Sequence, residues 1–133
     1  MDRVRDAMVV DVRVCEAGAS AQEAGSALVR PEVRAVFVCD GGRLVGVVTR
    51  KTLVREVVAA GRDPRTTAVG DIAEEPIATV ESGLALDEAF RFLEERDLER
   101  VPVVEDGRFV GVLSRGVIRR RLAEDEPPAD DVI

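Results

Sequence analysis

The strongest constraint on how this chain can fold is an internal repeat with a period of 65 residues. Shifting the sequence by 65 positions aligns two halves without a gap, with glycines on glycines and apolar residues on apolar residues. The clearest match pairs Gly42-Arg43-Leu44-Val45-Gly46-Val47 with Gly107-Arg108-Phe109-Val110-Gly111-Val112, and Arg55 falls on Arg120. The chain is therefore predicted to fold as two copies of one unit.

Each unit carries the signals of a β-α-β-β-α order. The first unit predicts a strand within 9–15, a helix capped by Ser20, a hairpin over 35–48, and a helix from Thr49 to Ala60. The second unit predicts a strand at 77–80, a helix around Leu86 and Leu93, a hairpin over 101–113, and a helix after Ser114. We expect an α+β (mixed α/β) fold with two such repeats related by pseudo-two-fold symmetry.

The repeats set the expected domain bounds. Residues 1–65 hold the first repeat with its linker, and residues 66–123 hold the second. Residues 124–133 contain five acidic residues and two adjacent prolines, which predicts a disordered acidic tail. A repeat of about 55 residues is near the lower size limit for independent folding, so the two repeats are expected to form one domain with a shared core.

Composition narrows the classes of function. The chain has no histidine, so it lacks the usual general base at neutral pH and the commonest metal ligand. Neither a Ser-His-Asp nor a Cys-His nucleophile can be assembled, and two cysteines alone cannot hold a tetrahedral zinc ion. We therefore expect neither an enzyme nor a metal site. The remaining enzymatic alternative would use paired carboxylates and arginine, and no such spacing is present.

Charge and hydropathy exclude other partners. The net charge of −7 argues against nucleic acid as the main partner. No apolar run is long enough to span a membrane, and no secretory signal is evident, so a cytoplasmic location is expected. Cys15 and Cys39 are expected to be buried free thiols; a disulfide is the less favoured alternative.

Three segments resemble a known family. Val4-Arg5-Asp6-Ala7-Met8 is similar to the start of a CBS repeat, the unit named after cystathionine β-synthase, and Val69-Gly70-Asp71-Ile72 repeats it. The stretch from Arg100 to Ser114 resembles the most recognisable segment of that family, and Arg34 to Thr49 matches it less closely. The resemblance covers residues 4–122. It identifies the chain as a tandem CBS pair, also called a Bateman module.

This resemblance implies a regulatory module. Such pairs bind adenine-containing ligands (AMP, ADP, ATP, NAD or S-adenosylmethionine) in clefts between the repeats, and they commonly form homodimers. With no room here for a fused effector domain, the expected role is regulation of an unknown partner protein in trans, with no required cofactor. The alternative is that the chain is a fragment of a longer protein.

The same resemblance indicates a phosphate and ribose site in each repeat. The family motif runs Gly-h-h-Thr/Ser-x-x-Asp, where h is apolar, and a hydroxyl at a helix start suits phosphate oxygens. This chain keeps the hydroxyls but has Thr52 and Val117 where the motif has Asp. The expected phosphate and ribose residues are Gly46, Thr49, Arg50, Lys51, Thr52, Gly111, Ser114 and Arg115, with the first-repeat site favoured over the second.

The adenine is expected against the first strands and the hairpin starts. The candidates are Val10, Val12, Arg34, Ala35, Ile77, Arg100 and Val101. The phosphate and ribose candidates have simpler alternatives. Thr49 and Ser114 can be plain helix caps, and Arg50 and Arg115 can be surface arginines. The competing function is an interaction scaffold that dimerises but has lost its ligand, as the missing Asp in both repeats would suggest.

Overall fold

The computed structural model of this chain describes residues 2–125. Within them lie six helices: α1 (Val4–Ala7), α2 (Ala21–Leu28), α3 (Arg50–Leu53), α4 (Val69–Ile72), α5 (Leu86–Glu95) and α6 (Arg115–Asp125). The six strands are β1 (Val14–Glu16), β2 (Val36–Asp40), β3 (Arg43–Val48), β4 (Val80–Glu81), β5 (Arg100–Glu105) and β6 (Arg108–Ser114). The mixed α+β fold predicted from the repeat is confirmed.

The strands form one sheet in the order β1-β2-β3-β6-β5-β4. Each repeat contributes an antiparallel hairpin with a short parallel strand beside it, and the two halves meet at a single pair, Arg43 opposite Arg108. The hairpins confirm the turn prediction, since Asp106 and Gly107 both adopt positive φ, as a tight two-residue turn requires. The order reads the same from either edge, which is the predicted pseudo-two-fold arrangement.

The predicted helix caps are also present. The side-chain oxygens of Ser20, Thr49 and Ser114 accept hydrogen bonds from the backbone N–H three residues later, at 3.2, 3.3 and 3.1 Å. Helix α3 continues as a π-helical turn over Val54–Val58 before the chain turns at Gly61, whose φ of +71° suits glycine.

The start of each repeat differs from the prediction. Strand β1 begins only at Val14, and β4 begins at Val80, because the residues before them cross to the opposite repeat. We name 4–13 the first leading segment and 69–78 the second leading segment. Each opens with a four-residue helix that the sequence did not predict.

Backbone pairing fixes both crossings. Val9 exchanges two hydrogen bonds with Val112 at 2.8 and 2.9 Å, and Glu74 exchanges two with Val47 at 2.9 and 2.8 Å. These crossings complete the cores, because Val4 and Ala7 pack with the buried residues of the second repeat, while Val69 and Ile72 pack with those of the first. The buried side chains therefore form two clusters and not one shared core.

The crossings also join the repeats into one unit, because removing either repeat would leave the other core incomplete. The boundary expected at 65 and 66 lies in the linker that precedes α4. Helix α6 continues to Asp125, and the rest of the expected acidic tail lies outside the described residues. None of the helices in the described part of the chain has the length and apolar character needed to cross a membrane.

Candidate functional site

A cleft of about 640 Å³ lies where the first leading segment passes over the second repeat. We call it the large cleft. Its walls come from that segment, the residues before β2, the start of β5 and the start of α6; they are Val9, Asp11, Val12, Arg13, Glu32, Val33, Arg34, Ala35, Phe37, Glu99, Arg100, Val112, Ser114, Gly116, Val117 and Arg120. This volume is in the range of about 300–1,000 Å³ that small-molecule sites occupy.

Four arginines give the large cleft its charge. Arg13, Arg34, Arg100 and Arg120 all line it. Among the side chains of residues 2–123, none forms a hydrogen bond or an ion pair with any of these four arginines. Unpaired guanidinium groups in a concave site favour a ligand that carries phosphate, because each can donate charge-assisted hydrogen bonds to its oxygens.

Carboxylates line the same cleft. Asp11 and Glu32 are exposed on its wall, and Glu99 is drawn toward Arg115, whose Nη2 lies 3.4 Å from its Oε2. Free carboxylates accept hydrogen bonds from hydroxyl groups such as those of a sugar. The large cleft thus offers both donors for an anion and acceptors for hydroxyls.

A second cleft of about 200 Å³ lies on the first repeat's side. We call this one the small cleft. Its lining is mostly apolar and consists of Ala35, Phe37, Val47, Pro76, Ile77, Ala78, Leu98, Arg100, Val101, Pro102 and Val112. Phe37 is common to both clefts and stacks on Phe109, with ring centroids 4.8 Å apart. The small cleft is the pseudo-symmetric counterpart of the large one, without the part near the helix start.

The missing part is filled by a side chain. Glu74 of the second leading segment accepts a hydrogen bond from Thr52 Oγ1 at 3.3 Å and forms an ion pair with Arg55. Thr52 is fully buried, and its Oγ1 also accepts from the Thr49 N–H at 3.0 Å. The polar groups at the start of α3 are thus already bonded within the chain.

The family assignment follows from comparison with known proteins. The sequence model of the CBS domain matches this chain twice, over residues 4–59 and 69–124. The chain belongs to the CBS domain family. Its two copies confirm the tandem CBS pair that the repeat and the hairpin segments predicted.

Known CBS proteins of similar sequence and structure support this assignment. Hypoxic response protein 1 of Mycobacterium tuberculosis is 34% identical over 94 residues, a span of 70% of this chain and 66% of that protein. A crystal structure of hypoxic response protein I, with two coordinated zinc ions, matches with a TM-score of 0.76 at 29% identity, covering 91% of this chain and 99% of that chain.

Two further CBS structures contain nucleotides. CBSX2 in complex with AMP matches with a TM-score of 0.73 at 27% identity, covering 93% of this chain and 98% of that one. The cytosolic domain of the Mg²⁺ channel MgtE in complex with ATP matches with a TM-score of 0.71 at 25% identity, covering 90% of this chain and 48% of that one. Residues 2–125 of this CBS pair contain no group of three or more side chains suited to a metal ion.

The CBS clefts bring together some of the predicted ligand residues. Val12, Arg34, Ala35, Arg100 and Ser114 line the large cleft. Of the remaining adenine candidates, Ile77 and Val101 line the small cleft. Lys51 and Val10 are exposed and line neither one. The ligand roles of all these residues stay predictions.

The two motif glycines of the CBS repeats lie where a leading segment crosses close to a hairpin. A Cβ at Gly46 would lie 2.7 Å from Ala73 Cβ and 2.8 Å from the Glu74 carbonyl oxygen. A Cβ at Gly111 would lie 2.8 Å from the Val9 carbonyl oxygen. Both positions therefore need glycine so that a leading segment can approach the hairpin closely.

The two motif arginines are held by the protein itself. Arg50 Nη2 donates to the carbonyl oxygen of Arg30 at 2.7 Å. Arg115 faces two carboxylates, with Nη1 3.5 Å from Asp97 Oδ1 and Nη2 3.4 Å from Glu99 Oε2. Neither side chain lines a cleft.

Sequence reasoning missed Arg13 and Arg120, which line the large cleft of the CBS pair. Arg120 carries a signal that could have found it, because it falls on Arg55 in the repeat alignment and lies two positions beyond the buried Ile118 of α6. Arg13 carries no such signal, since its position depends on the crossing of the first leading segment.

The two thiols are separate from both clefts. Cys15 and Cys39 are free, as expected. Burial raises the pKa of both thiols, and the nearby carboxylates of Glu23 and Glu16 raise them further. Both cysteines are therefore protonated at neutral pH and weak as nucleophiles.

Proposed function

We propose that this CBS pair is a regulatory module that binds an adenine nucleotide in the large cleft and regulates a partner protein in trans. The observation that carries the proposal is a group of four arginines around a cleft large enough for a nucleotide; these are Arg13, Arg34, Arg100 and Arg120, and none has a partner among the described side chains. Binding of AMP by CBSX2 and of ATP by MgtE supports the ligand class.

The ligand is proposed to lie with its phosphate toward Arg120 and Ser114, at the start of α6. The helix dipole and the cationic side chain both favour an anion there. The carboxylate that the family motif would place at Val117 is absent, and we propose that Asp11 or Glu32 accepts the ribose hydroxyl hydrogen bonds instead. The base would then pack against Val12, Val33 and Ala35.

The proposed module binds and transmits without catalysis. It has no histidine, so no imidazole general base is present. We further propose a cytoplasmic location, which the two free thiols support because exposure to oxidising compartments favours disulfides.

A thermal unfolding series tests the ligand. The chain is heated alone and with AMP, ADP, ATP, NAD or S-adenosylmethionine at millimolar concentration. A ligand at about 100 times its dissociation constant adds roughly 2.7 kcal/mol to the free energy of unfolding, which raises the unfolding temperature. The absence of any shift with all five compounds would contradict the proposal.

A pair of variants locates the site. Arg120→Ala removes a cation of the large cleft, and we expect the dissociation constant to rise by roughly tenfold or more, because hydrogen bonds to charged groups contribute about 1.5–3 kcal/mol. Arg55→Ala changes the aligned residue of the first repeat and should leave the dissociation constant unchanged. Equal losses in both variants would count against the large cleft.

A ligand-free dimer is the second candidate function. It is favoured by three exposed valines on the helical side of the first repeat, Val29, Val54 and Val58, which are 79, 58 and 73% exposed. The aligned residues of the second repeat are Glu94, Arg119 and Ala123. Light scattering of Val54→Glu against wild type tests the dimer, and a dimer whose stability no nucleotide changes would favour this candidate.

A further inference from the structure

Glu74 lies in the second leading segment, beside the first repeat, and the aligned residue of the first leading segment is apolar. Its backbone exchanges two hydrogen bonds with Val47, which fixes where its side chain begins. Its carboxylate then accepts from Thr52 Oγ1 at 3.3 Å and pairs with Arg55. The carboxylate thus bonds to the last residue of the first repeat's motif, Thr52, and to a cation three positions beyond it.

The aligned residue of the first leading segment is Val9, which makes the same backbone pairing with Val112 of the second repeat. Its side chain lines the large cleft and cannot neutralise a cation. The residues aligned with Thr52 and Arg55 are Val117 and Arg120, and both line that cleft. Differences at two aligned positions, Glu74 against Val9 and Thr52 against Val117, therefore separate a site that is bonded within the chain from an open one.

We propose that Glu74 is an internal competitor for the ligand's phosphate and restricts nucleotide binding to one cleft per chain. The inference rests on the proposed function, and it adds a residue that determines which cleft is used. A carboxylate tethered beside Arg55 is present at a high effective concentration, so a free phosphate must displace it before using the same guanidinium.

Glu56 limits how completely the first site can be opened. Its Oε1 accepts from Arg55 Nε at 3.1 Å, so Arg55 keeps one carboxylate neighbour when Glu74 loses its charge. Among the described residues, Arg120 has no corresponding carboxylate, since the residue aligned with Glu56 is Arg121. A first-repeat site opened by substitution should therefore bind more weakly than the large cleft.

Reciprocal exchange of the two aligned residues tests the proposal by isothermal titration calorimetry with AMP. Wild type should bind one AMP per chain. Glu74→Gln removes the charge at almost constant shape and should add a second, weaker binding event. Val9→Glu installs a carboxylate facing Arg120 and should weaken binding at the large cleft by roughly tenfold or more. Combining the two changes should leave one site, now in the first repeat.

The control is Glu75→Gln, which neutralises the neighbouring exposed acid and should keep one AMP per chain. Two sites in wild type, or one unchanged site in Glu74→Gln, would overturn the role of Glu74. A wild type that binds no AMP, while Glu74→Gln binds one, would contradict the proposed site in the large cleft but support the competitor.

Absence of AMP binding in every variant would contradict the proposed ligand. Inorganic pyrophosphate then tests separately whether Glu74 competes with phosphate. Thermal unfolding with pyrophosphate should stabilise Glu74→Gln more than wild type and more than Glu75→Gln. Equal stabilisation of all three proteins would overturn the proposal.

Discussion

The starts of helices α3 and α6 occupy equivalent places in the two CBS repeats, but the polar groups beside them differ in their bonding. Those beside α3 bond to a carboxylate of the chain, whereas those beside α6 line an open cleft. At α3, the buried Thr52 and the cation of Arg55 both bond to Glu74. At α6, Val117 and Arg120 line an open cleft of about 640 Å³, and Arg120 forms no ion pair with any side chain of residues 2–123. The backbone pairing of the leading segment is the same in both places.

The difference shows that a duplicated backbone can keep its symmetry while its two clefts diverge in chemistry. Pairing of the leading segments depends on main-chain groups and on Gly46 and Gly111, which both repeats retain. Cleft charge depends on single side chains such as Glu74 and Val9, which can change without disturbing that pairing. The following predictions test where the two repeats are equivalent and where they are not.

The largest effects are expected in the two cores. Leu28 and Leu93 are aligned by the repeat and are 3 and 0% exposed. Replacing either with Ala should lower the free energy of unfolding by about 2–5 kcal/mol, because a buried cavity is left behind. Each core contains a helix from the other repeat, so both variants should unfold in a single transition. Denaturant unfolding measures both quantities.

The matched control for the cores is Val29→Ala, which alters an exposed neighbour and should change stability by no more than about 0.5 kcal/mol. Two separate unfolding transitions in Leu93→Ala would show that the repeats are independent, and this would contradict the role given to the crossings.

Smaller effects are expected at the crossing glycines. Gly46→Ala and Gly111→Ala should each cost about 1–3 kcal/mol, because an added Cβ pushes a leading segment off its hairpin. Gly46 should be the more sensitive, since its Cβ would meet Ala73 Cβ and the Glu74 carbonyl, whereas the contacts at Gly111 include the flexible Met8 side chain. Thermal unfolding ranks the two variants.

Gly18→Ala serves as the control for the glycines, because a Cβ there would meet nothing within 4 Å. If Gly46→Ala were as stable as Gly18→Ala, the close approach of the second leading segment would not be needed for folding.

The smallest effects are expected at the helix caps. Ser114→Ala should cost about 1 kcal/mol, since it removes one hydrogen bond to the Val117 N–H. Thr49→Ala should cost more, because Thr49 Oγ1 also lies 3.0 Å from the buried Thr52 Oγ1. Its removal would leave the Thr52 hydroxyl with one hydrogen-bond partner fewer. Equal costs, measured by denaturant unfolding, would contradict the difference in bonding at the two helix starts.

Local features of the fold could be predicted from the sequence. The turn at Asp106 and Gly107 needs two residues that tolerate positive φ, and the caps at Thr49 and Ser114 need only a hydroxyl before a helix. Such signals depend on neighbouring residues alone. Because the sequence repeats after 65 residues, the same signals predict the same elements in both halves of the chain.

Long-range features could not be predicted. The β-forming residues around Val9 predict a place near the first strand, but Val9 pairs with Val112, more than one hundred residues away. The place of Arg115 at a helix start predicts a phosphate role, and no local signal indicates that its side chain faces Asp97 and Glu99. The sequence favours the first-repeat site because Thr52 can form hydrogen bonds, and no local signal indicates that its hydroxyl bonds to Glu74.

The most direct test of the difference between the clefts is an amide ¹H–¹⁵N NMR titration of the wild-type chain with AMP. Shift changes are expected at Ser114, Gly116 and Arg120 and along the first leading segment, whereas Thr49, Thr52 and Arg55 should not change. Shift changes of similar size at Thr49, Thr52 and Arg55, or none around Ser114, would contradict binding of AMP in the large cleft alone.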